Sequence, residues 1–189
     1  RQAQAGRKAG WPDMTMSVNL SALQFRRAGL IETVAKVLRM SGLPPHLLEL
    51  ELTESILLQD VEKNLDTVRQ LKALGVRLSI DDFGTGYSSL SYLKRFAVDR
   101  LKIDRSFVRD IGTDPDDAAI VTAIIVLAKS LGLEALAEGV ETRAQLDVLL
   151  GLGCERFQGF LFSRPLLPDR ADEIFQPRLD LEPALGSRA

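Results

Sequence analysis

Acidic side chains recur in this sequence where short apolar segments end. The densest case is Asp81-Asp82, in which two adjacent carboxylates follow an apolar run and enter a loop rich in glycine and serine. Burying a carboxylate at the end of a strand is costly unless a positive charge neutralises it. Because the arrangement recurs at successive strand ends, the sequence predicts a shared cation site.

The polar residues at the six predicted strand ends suit a hard divalent cation. In chain order they are Asn19, Glu51, Asp81 with Asp82, Lys102, Glu138 with Glu141, and Gln158. Oxygen ligands without histidine or cysteine favour Mg²⁺ or Mn²⁺. The five carboxylates exceed the one lysine by four charges, which two divalent ions would balance. A two-metal centre of this kind suits phosphodiester hydrolysis.

Lys102 interrupts the apolar pattern of its own strand, which marks it as a candidate functional residue. A lysine within a ring of carboxylates can orient an attacking water or offset charge in the transition state. The alternative is an ordinary salt bridge inside the fold. Glu54 either braces the glycine-rich loop or is a solvated carboxylate. Asp104 and Arg105 have either structural roles or contacts with the substrate, and the sequence does not separate the two.

Short β-rich segments alternate with helical patterns along the chain, which indicates repeated strand–helix units. The predicted strands are Met16–Leu20, Leu47–Leu52, Arg77–Asp81, Arg100–Ile103, Ala135–Gly139 and Glu155–Phe160. The predicted helices are Leu30–Met40, Val61–Leu74, Leu90–Phe96, Asp116–Leu131 and Arg143–Leu150. Glycines that follow four of the predicted helices act as stop signals.

Such units build either an open doubly wound sheet or a closed barrel. No G-x-G-x-x-G turn follows a strand, which weakens the nucleotide-binding doubly wound alternative. Polar residues at the C-terminal strand ends favour a TIM-like (β/α)8 barrel, whose chemistry gathers on that rim. Six units in 189 residues give about 31 residues each, so eight would approach the ~250 residues of this fold. We therefore predict an α/β barrel that lacks its first two strands.

Composition narrows the class of protein further. A net charge of −2 with interspersed signs gives no basic face for a nucleic-acid polymer. Cys154 is the only cysteine and His46 the only histidine, which argues against a disulfide framework, a thiolate zinc cluster and a His-rich metal hydrolase. The most apolar stretch, 118–128, is shorter than the ~20 residues that cross a bilayer. We predict a cytoplasmic domain without membrane contact, which an upstream segment could tether.

Six motifs of this chain resemble, in order, those of the EAL-domain cyclic-di-GMP phosphodiesterases. They are Val-Asn-Leu-Ser (18–21), Leu-Glu-Leu-Thr-Glu-Ser (50–55), Asp-Asp-Phe-Gly-Thr-Gly-Tyr-Ser-Ser-Leu (81–90), Leu-Lys-Ile-Asp-Arg-Ser-Phe (101–107), Ala-Glu-Gly-Val-Glu-Thr (137–142) and Gln-Gly-Phe-Leu-Phe-Ser-Arg-Pro (158–165). They span nearly the whole chain from Trp11 to Leu166. The resemblance implies a TIM-like barrel with one antiparallel strand. It also implies hydrolysis of cyclic di-GMP to the linear dinucleotide pGpG, with two Mg²⁺ or Mn²⁺ ions.

The resemblance implies a role for each matching residue. The metal ligands are Asn19, Glu51, Asp81 and Asp82, with Asp81 bridging two ions. Lys102 matches the lysine that positions the nucleophilic water, and Glu138 matches a general base or second-metal carboxylate. Asp82 and Arg164 are also assigned to substrate contact, Glu141 and Gln158 to supporting roles, and Glu54 to anchoring the loop Asp82–Ser89. In this family the loop is linked to dimerisation, so a homodimer through it is expected.

The Glu-Ala-Leu segment that names the family has no counterpart at its expected place. In the family it lies on an early strand, where its glutamate binds metal and a nearby arginine contacts phosphate. Glu134-Ala135-Leu136 instead begins the strand that leads to Glu138, so it belongs to the opposite end of the barrel. The genuine segment would precede Arg1, which agrees with the two missing strands.

These observations give a domain assignment and competing functions. We expect residues 1–176 to form a partial EAL domain, 177–189 to be a disordered tail, and a regulatory domain to lie upstream. The first hypothesis is a phosphodiesterase, of which this chain alone is poorly active. The alternatives are a catalytically silent module that senses cyclic di-GMP, and a piece with only an interaction or structural role.

Overall fold

The computed structural model describes residues 12–85 and 93–167, together with residues 4, 6, 7, 10 and 170. The predicted tail 177–189 lies outside the described residues. So do the second half of the loop Asp82–Ser89 and the start of the predicted helix Leu90–Phe96.

Six strands form one curled sheet in the order β1-β2-β3-β4-β5-β6, and every pairing is parallel. The strands are β1 (Met16–Asn19), β2 (Leu48–Thr53), β3 (Arg77–Phe83), β4 (Arg100–Ile103), β5 (Glu134–Ala137) and β6 (Arg156–Phe157). Because β1 and β6 are the two ends of this order, the described strands make a half-barrel. This confirms the predicted TIM-like α/β barrel architecture for the six strands described. The antiparallel strand implied by the resemblance is not among the strands described.

Helices lie between β1 and β2, between β2 and β3, between β4 and β5, and between β5 and β6, as is usual for parallel pairing. They are α1 (Ala22–Phe25), α2 (Leu30–Ser41), α3 (Glu54–Leu58), α4 (Val61–Ala73), α5 (Arg105–Arg109), α6 (Pro115–Leu131) and α7 (Arg143–Gly151), with a 3₁₀ turn at Pro45–Leu47. The longest, α6, begins at Pro115 with the Asp114 side chain as its cap, and it ends at Gly132 in a left-handed conformation. None of the described helices is both long and apolar enough to span a membrane.

Burial follows the order of the strands in the sheet. All four residues of β4 are buried, whereas all four residues of the end strand β1 are exposed. A parallel strand covered on both faces consists mainly of apolar residues. Leu52, Leu78, Leu101 and Ile103 are fully buried and belong to one continuous core. Lys102 is therefore a charged residue on the most deeply buried strand.

The structure corrects two predicted strands and adds three short helices. The strand predicted at Ala135–Gly139 ends at Ala137, so Glu138 lies just past it. The strand predicted at Glu155–Phe160 is reduced to Arg156–Phe157. At Gly159 the backbone packs directly against the backbone of Val140. A Cβ on Gly159 would lie 2.1 Å from the Val140 carbonyl oxygen. The added helices α1, α3 and α5 each follow a strand end, where four or five residues are too few to show a helical period.

Charged side chains form an ion-pair network at the N-terminal end of the half-barrel. Arg100 binds both oxygens of Glu49 at 2.8 and 3.0 Å and reaches Glu134 Oε2 at 2.6 Å. Arg156 donates to the other Glu134 oxygen at 2.9 Å. These residues stand at or near the first position of their strands. The Glu134-Ala135-Leu136 segment is thus placed at the end opposite the C-terminal rim, as predicted, and Glu49 is an ion-pair partner within this network.

We expect the Arg100→Met variant to lose about 3 kcal/mol of unfolding free energy, because it leaves the Glu49 carboxylate buried without its cation. Only 1% of the Glu49 side chain is exposed. Urea denaturation measures the loss. The matched control is Arg156→Met, whose side chain is 52% exposed and whose ion pair contributes about 1 kcal/mol or less. Equal losses in the two variants would contradict a buried, stabilising pair.

Candidate active site

The register of the parallel strands brings the predicted site residues to one rim. Asn19 pairs directly with Glu51, and Thr53 pairs with Asp81. Paired residues of adjacent strands face the same side of the sheet. Asp81 and Glu51 lie near the C-terminal ends of β3 and β2, and Glu138 follows the last residue of β5. The C-terminal rim therefore gathers side chains from β1, β2 and β3 and from the end of β5.

A local irregularity accounts for the adjacent pair Asp81 and Asp82. Consecutive side chains of a regular strand point to opposite faces. Between Ile80 and Phe83 the register of β3 against β4 shifts, and Asp82 has a φ of 53°. Such a φ is uncommon for a residue other than glycine and marks local backbone strain. The irregularity lets Asp81 contact Lys102 while Asp82 lines the adjacent cavity.

Lys102 is the centre of the acidic cluster. Its ammonium lies 2.8 Å from Glu51 Oε2, 2.9 Å from Asp81 Oδ1 and 2.8 Å from Glu138 Oε1. Only 5% of the Lys102 side chain is exposed. Burial by itself would lower the pKa of Lys102, but its hydrogen bonds to Glu138, Glu51 and Asp81 outweigh burial and raise it. Lys102 is therefore charged and partly neutralises three carboxylates.

Two carboxyl groups at the rim have raised pKa values. Burial raises the pKa of Glu138, and the nearby Asp81 and Glu51 carboxylates add to this, while Lys102 opposes it. Burial and the charges of Asp81 and Asp104 raise the pKa of Asp82. Burial would also raise the pKa of Asp104, but hydrogen bonds from Ser106 and Asp82 lower it. The rim thus combines one lysine with carboxyl groups of differing proton affinity.

The oxygen donors of the cluster fit a hard divalent cation once Asn19 is included. The end of the Asn19 side chain lies 3.1 Å from Asp81 Oδ2 and 3.2 Å from Glu51 Oε2. If the Asn19 amide oxygen faces the two carboxylates, three oxygens lie close together with no hydrogen-bond donor between them. A bound cation would satisfy all three oxygens. With its nitrogen turned toward them, Asn19 donates to both carboxylates. Amide and carboxylate oxygens are donors that Mg²⁺ and Mn²⁺ accept.

The cluster differs in one respect from the predicted ring of carboxylates. Among the residues that the structure describes, no three His, Cys, Asp or Glu side chains are grouped so that they could hold an ion. The Lys102 ammonium lies between Glu51, Asp81 and Glu138 and pairs with all three. The amide oxygen of Asn19 is therefore needed to complete a donor set.

A cavity of about 460 Å³ opens beside the cluster. Its described lining comprises Asp82, Asp104, Arg105, Glu138, Gly139, Glu141, Gln158, Gly159 and Phe160. Glu141 and Gln158 are thus at this cavity and not in contact with Lys102. The guanidinium of Arg164 lies 4.9 Å from the ring centroid of Phe160. A cavity of this size suits a small molecule.

Glu54 does not join the cluster. It faces a small, mainly apolar cavity whose lining includes Ile80, Phe83 and Phe96. The residue is 7% exposed, and neither carboxylate oxygen has a hydrogen-bond partner among the described residues. The part of the loop Asp82–Ser89 beyond Thr85, which Glu54 was predicted to anchor, lies outside the described residues. His46 is exposed on the 3₁₀ turn.

Sequence reasoning left Asp104 and Arg105 open and did not single out Phe160. Asp104 accepts a hydrogen bond from the Ser106 amide at 2.9 Å and caps α5. The order Asp-Arg-Ser after a buried strand was the available signal, since aspartate commonly caps a helix that starts there. Arg105 and Phe160 line the cavity. Nothing in their spacing alone indicated this position.

The fold and site define an α/β barrel domain whose C-terminal rim carries an acidic cluster around a lysine. A sequence model of the EAL domain matches residues 1–165. The chain is 51% identical over 166 residues to the Pseudomonas aeruginosa bifunctional diguanylate cyclase/cyclic di-GMP phosphodiesterase MucR, covering 88% of this chain and 24% of MucR. This chain belongs to the EAL domain family. It spans about a quarter of the length of that relative.

Solved structures agree with this membership. The PaMucR phosphodiesterase in complex with c-di-GMP matches with a TM-score of 0.86 and 48% identity, over 92% of this chain and 69% of that one. The Klebsiella pneumoniae BlrP1 complex with manganese and cy-diGMP matches with a TM-score of 0.79 and 34% identity, over 88% of this chain and 43% of that one. Structural relatives of this domain therefore bind the cyclic dinucleotide, one of them together with a divalent metal.

Proposed function

We propose that this chain is the catalytic part of a phosphodiesterase that hydrolyses cyclic di-GMP to linear pGpG with two Mg²⁺ or Mn²⁺ ions. The observation that carries the proposal is the cluster of Glu51, Asp81 and Glu138 around Lys102, which lies beside a cavity of about 460 Å³. The cyclic di-GMP complexes of structural relatives support the choice of substrate.

The proposed metal ligands are the oxygens of Asn19, Glu51, Asp81 and Asp82. Asn19, Glu51 and Asp81 would hold one ion, and Asp81 with Asp82 would serve the second. Glu138 is close enough to the cluster to contribute a further oxygen, since it shares the Lys102 ammonium with Glu51 and Asp81. When bound, the ions would activate a water molecule and stabilise the charge of an in-line displacement at phosphorus.

Glu138 is the proposed general base. Its raised pKa makes it a better proton acceptor than an ordinary glutamate, and a base is most effective when its pKa approaches the working pH. The Lys102 ammonium holds Glu138 Oε1 at 2.8 Å and fixes the direction of that carboxylate. In this role Glu138 accepts the proton of the attacking water.

Lys102 is proposed to orient the attacking water and to offset the negative charge that develops on the phosphate. The buried ammonium is already in place before the negative charge develops on the phosphate. Stabilising that charge therefore requires little reorganisation of the protein. Asp82, Glu141, Gln158 and Arg164 would contact or support the nucleotide in and around the cavity. Glu54 remains the proposed anchor of the loop Asp82–Ser89.

The test is turnover of cyclic di-GMP by the natural full-length protein, followed by product chromatography. We expect pGpG to form with Mg²⁺ or Mn²⁺, to stop when a chelator removes the metal, and to resume when excess metal is restored. Turnover that persists unchanged in the chelator would contradict the metal-dependent mechanism. Tight binding of cyclic di-GMP without turnover under all metal conditions would favour the alternative of a silent sensor.

A further inference from the structure

Arg105 is a positive charge in an otherwise acidic cavity. The other charged residues in the described lining are Asp82, Asp104, Glu138 and Glu141. Within the part of the chain that the structure describes, the Arg105 guanidinium forms no ion pair or hydrogen bond with any of them. Its charge and its five donors are therefore available to a ligand that enters the cavity.

Gly139 fixes the position from which the Arg105 side chain starts. A Cβ on Gly139 would lie 2.5 Å from the Arg105 Cβ and 3.4 Å from its Cα. Such a contact cannot be relieved by rotating the Arg105 side chain, because both of these atoms are fixed by the backbone. Gly139 also has a φ of 68°, which favours glycine, and it directly follows Glu138. The base of Arg105 is thus held at a defined place beside the proposed general base.

The cavity around Arg105 carries the features by which proteins recognise an unstacked purine. Phe160 offers an aromatic ring that is 48% exposed, and Gln158 offers an amide. Unpaired bases stack on aromatic side chains and are read by hydrogen bonds to their edges. The guanidinium fork of arginine matches the O6 and N7 acceptors of guanine, whereas adenine presents an amino donor in place of O6.

We propose that Arg105 is a specificity-determining residue that donates two hydrogen bonds to O6 and N7 of one guanine base. The inference rests on the proposed function and adds the group that selects guanine. A base contact is favoured over a phosphate contact because Lys102 and the proposed ions already supply positive charge at the cluster. Among the described residues, Lys102 and not Arg105 pairs with the carboxylates of that cluster, and Arg105 shares its cavity with Phe160 and Gln158.

The experiment compares cyclic di-GMP with cyclic di-AMP, which has the same phosphates and sugars but adenine bases. Kd and kcat/KM are measured for the natural full-length protein, for Arg105→Ala and for Arg105→Lys. We expect the preference for the guanine nucleotide to fall about 10- to 100-fold in Arg105→Ala, with the constants for cyclic di-AMP nearly unchanged. Arg105→Lys should lose nearly as much, because an ammonium cannot form the two-pronged contact.

Arg109→Ala is the matched control. Arg109 ends the same helix, its side chain is 75% exposed, and its guanidinium is bonded to Asp110 outside the cavity. This variant should keep the preference of the unmodified protein. Because Arg105 is also exposed, its substitutions should leave the fold intact, which circular dichroism checks.

Three outcomes would overturn the inference. An unchanged guanine preference in Arg105→Ala would show that the side chain does not read the base. An equal loss for both nucleotides that Arg105→Lys restores would assign Arg105 to a phosphate. In both cases an active unmodified protein would leave the proposed function standing. An unmodified protein that neither binds nor hydrolyses cyclic di-GMP would overturn the proposed function and this inference together.

Discussion

The Glu138→Gln variant is expected to lose about 1,000-fold in kcat for cyclic di-GMP, within the range of general-base contributions. Glutamine has nearly the same shape as glutamate, and its amide oxygen can still accept the 2.8 Å hydrogen bond from Lys102. It cannot take a proton from water. The side chain of Glu138 is only 18% exposed, so bulk water does not readily replace it as the base.

Binding and turnover separate this role from a structural one. The Kd of the variant for cyclic di-GMP should change less than about threefold, because a base acts mainly on the transition state. Single-turnover kinetics and calorimetry give the two quantities. Glu155→Gln is the matched control, since Glu155 is exposed before β6 at the other end of the half-barrel. Equal kcat values in Glu138→Gln and in this control would remove Glu138 from the mechanism.

The residues of the rim cluster could be predicted from sequence because parallel strands share one C-terminal edge. Asn19, Glu51 and Asp81 each stand near the end of a short apolar segment, and the register of β1, β2 and β3 indeed brings them together. For such residues, the order of the strands and the two-residue period of side chains along a strand are sufficient to predict where the side chain lies. Their roles as metal ligands remain a proposal, although the geometry supports it.

Features that depend on local backbone geometry could not be predicted in this way. The period of a strand places Asp82 opposite Asp81, and only the register shift and the φ of 53° bring Asp82 to the cavity. The approach of Gly139 to Arg105 likewise depends on two segments far apart in sequence. No pattern within either segment contains that information.

The ion-pair partners of the buried basic residues could not be predicted from the sequence either. Lys102 stood out as a charged residue in an apolar strand, but the sequence left a catalytic lysine and a salt bridge as alternatives. The structure shows three carboxylates around it, an arrangement compatible with both. Arg100, two residues earlier, looks similar in sequence yet bonds Glu49 and Glu134 at the opposite end. Only the three-dimensional register separates the two basic residues.

The Lys102→Met variant should lose both turnover and stability. Without divalent ions we expect its unfolding free energy to fall by about 4 kcal/mol, because three carboxylates that share one buried cation are left to repel one another. The side chains of Glu51, Asp81 and Glu138 are 7%, 14% and 18% exposed, so water screens this repulsion poorly. Turnover should fall at least 100-fold, since a preorganised positive charge is lost.

Added Mg²⁺ shows whether the same oxygens can hold a cation. A ligand that binds only the folded state stabilises it in proportion to the logarithm of its concentration over Kd. Removing Lys102 makes the cluster more negative, so Mg²⁺ should raise the unfolding free energy more in Lys102→Met than in the unmodified protein. Urea denaturation at several Mg²⁺ concentrations measures the difference.

Lys129→Met provides the control, because Lys129 is an exposed lysine in the last turn of α6. Its removal should cost less than about 1 kcal/mol and leave the Mg²⁺ response unchanged. If Lys102→Met gained no more from Mg²⁺ than this control, the oxygens of Asn19, Glu51 and Asp81 would not form a metal site. A stabilised but inactive Lys102→Met protein would instead separate the two roles of the lysine, since the metal can replace its charge but not its position beside Glu138.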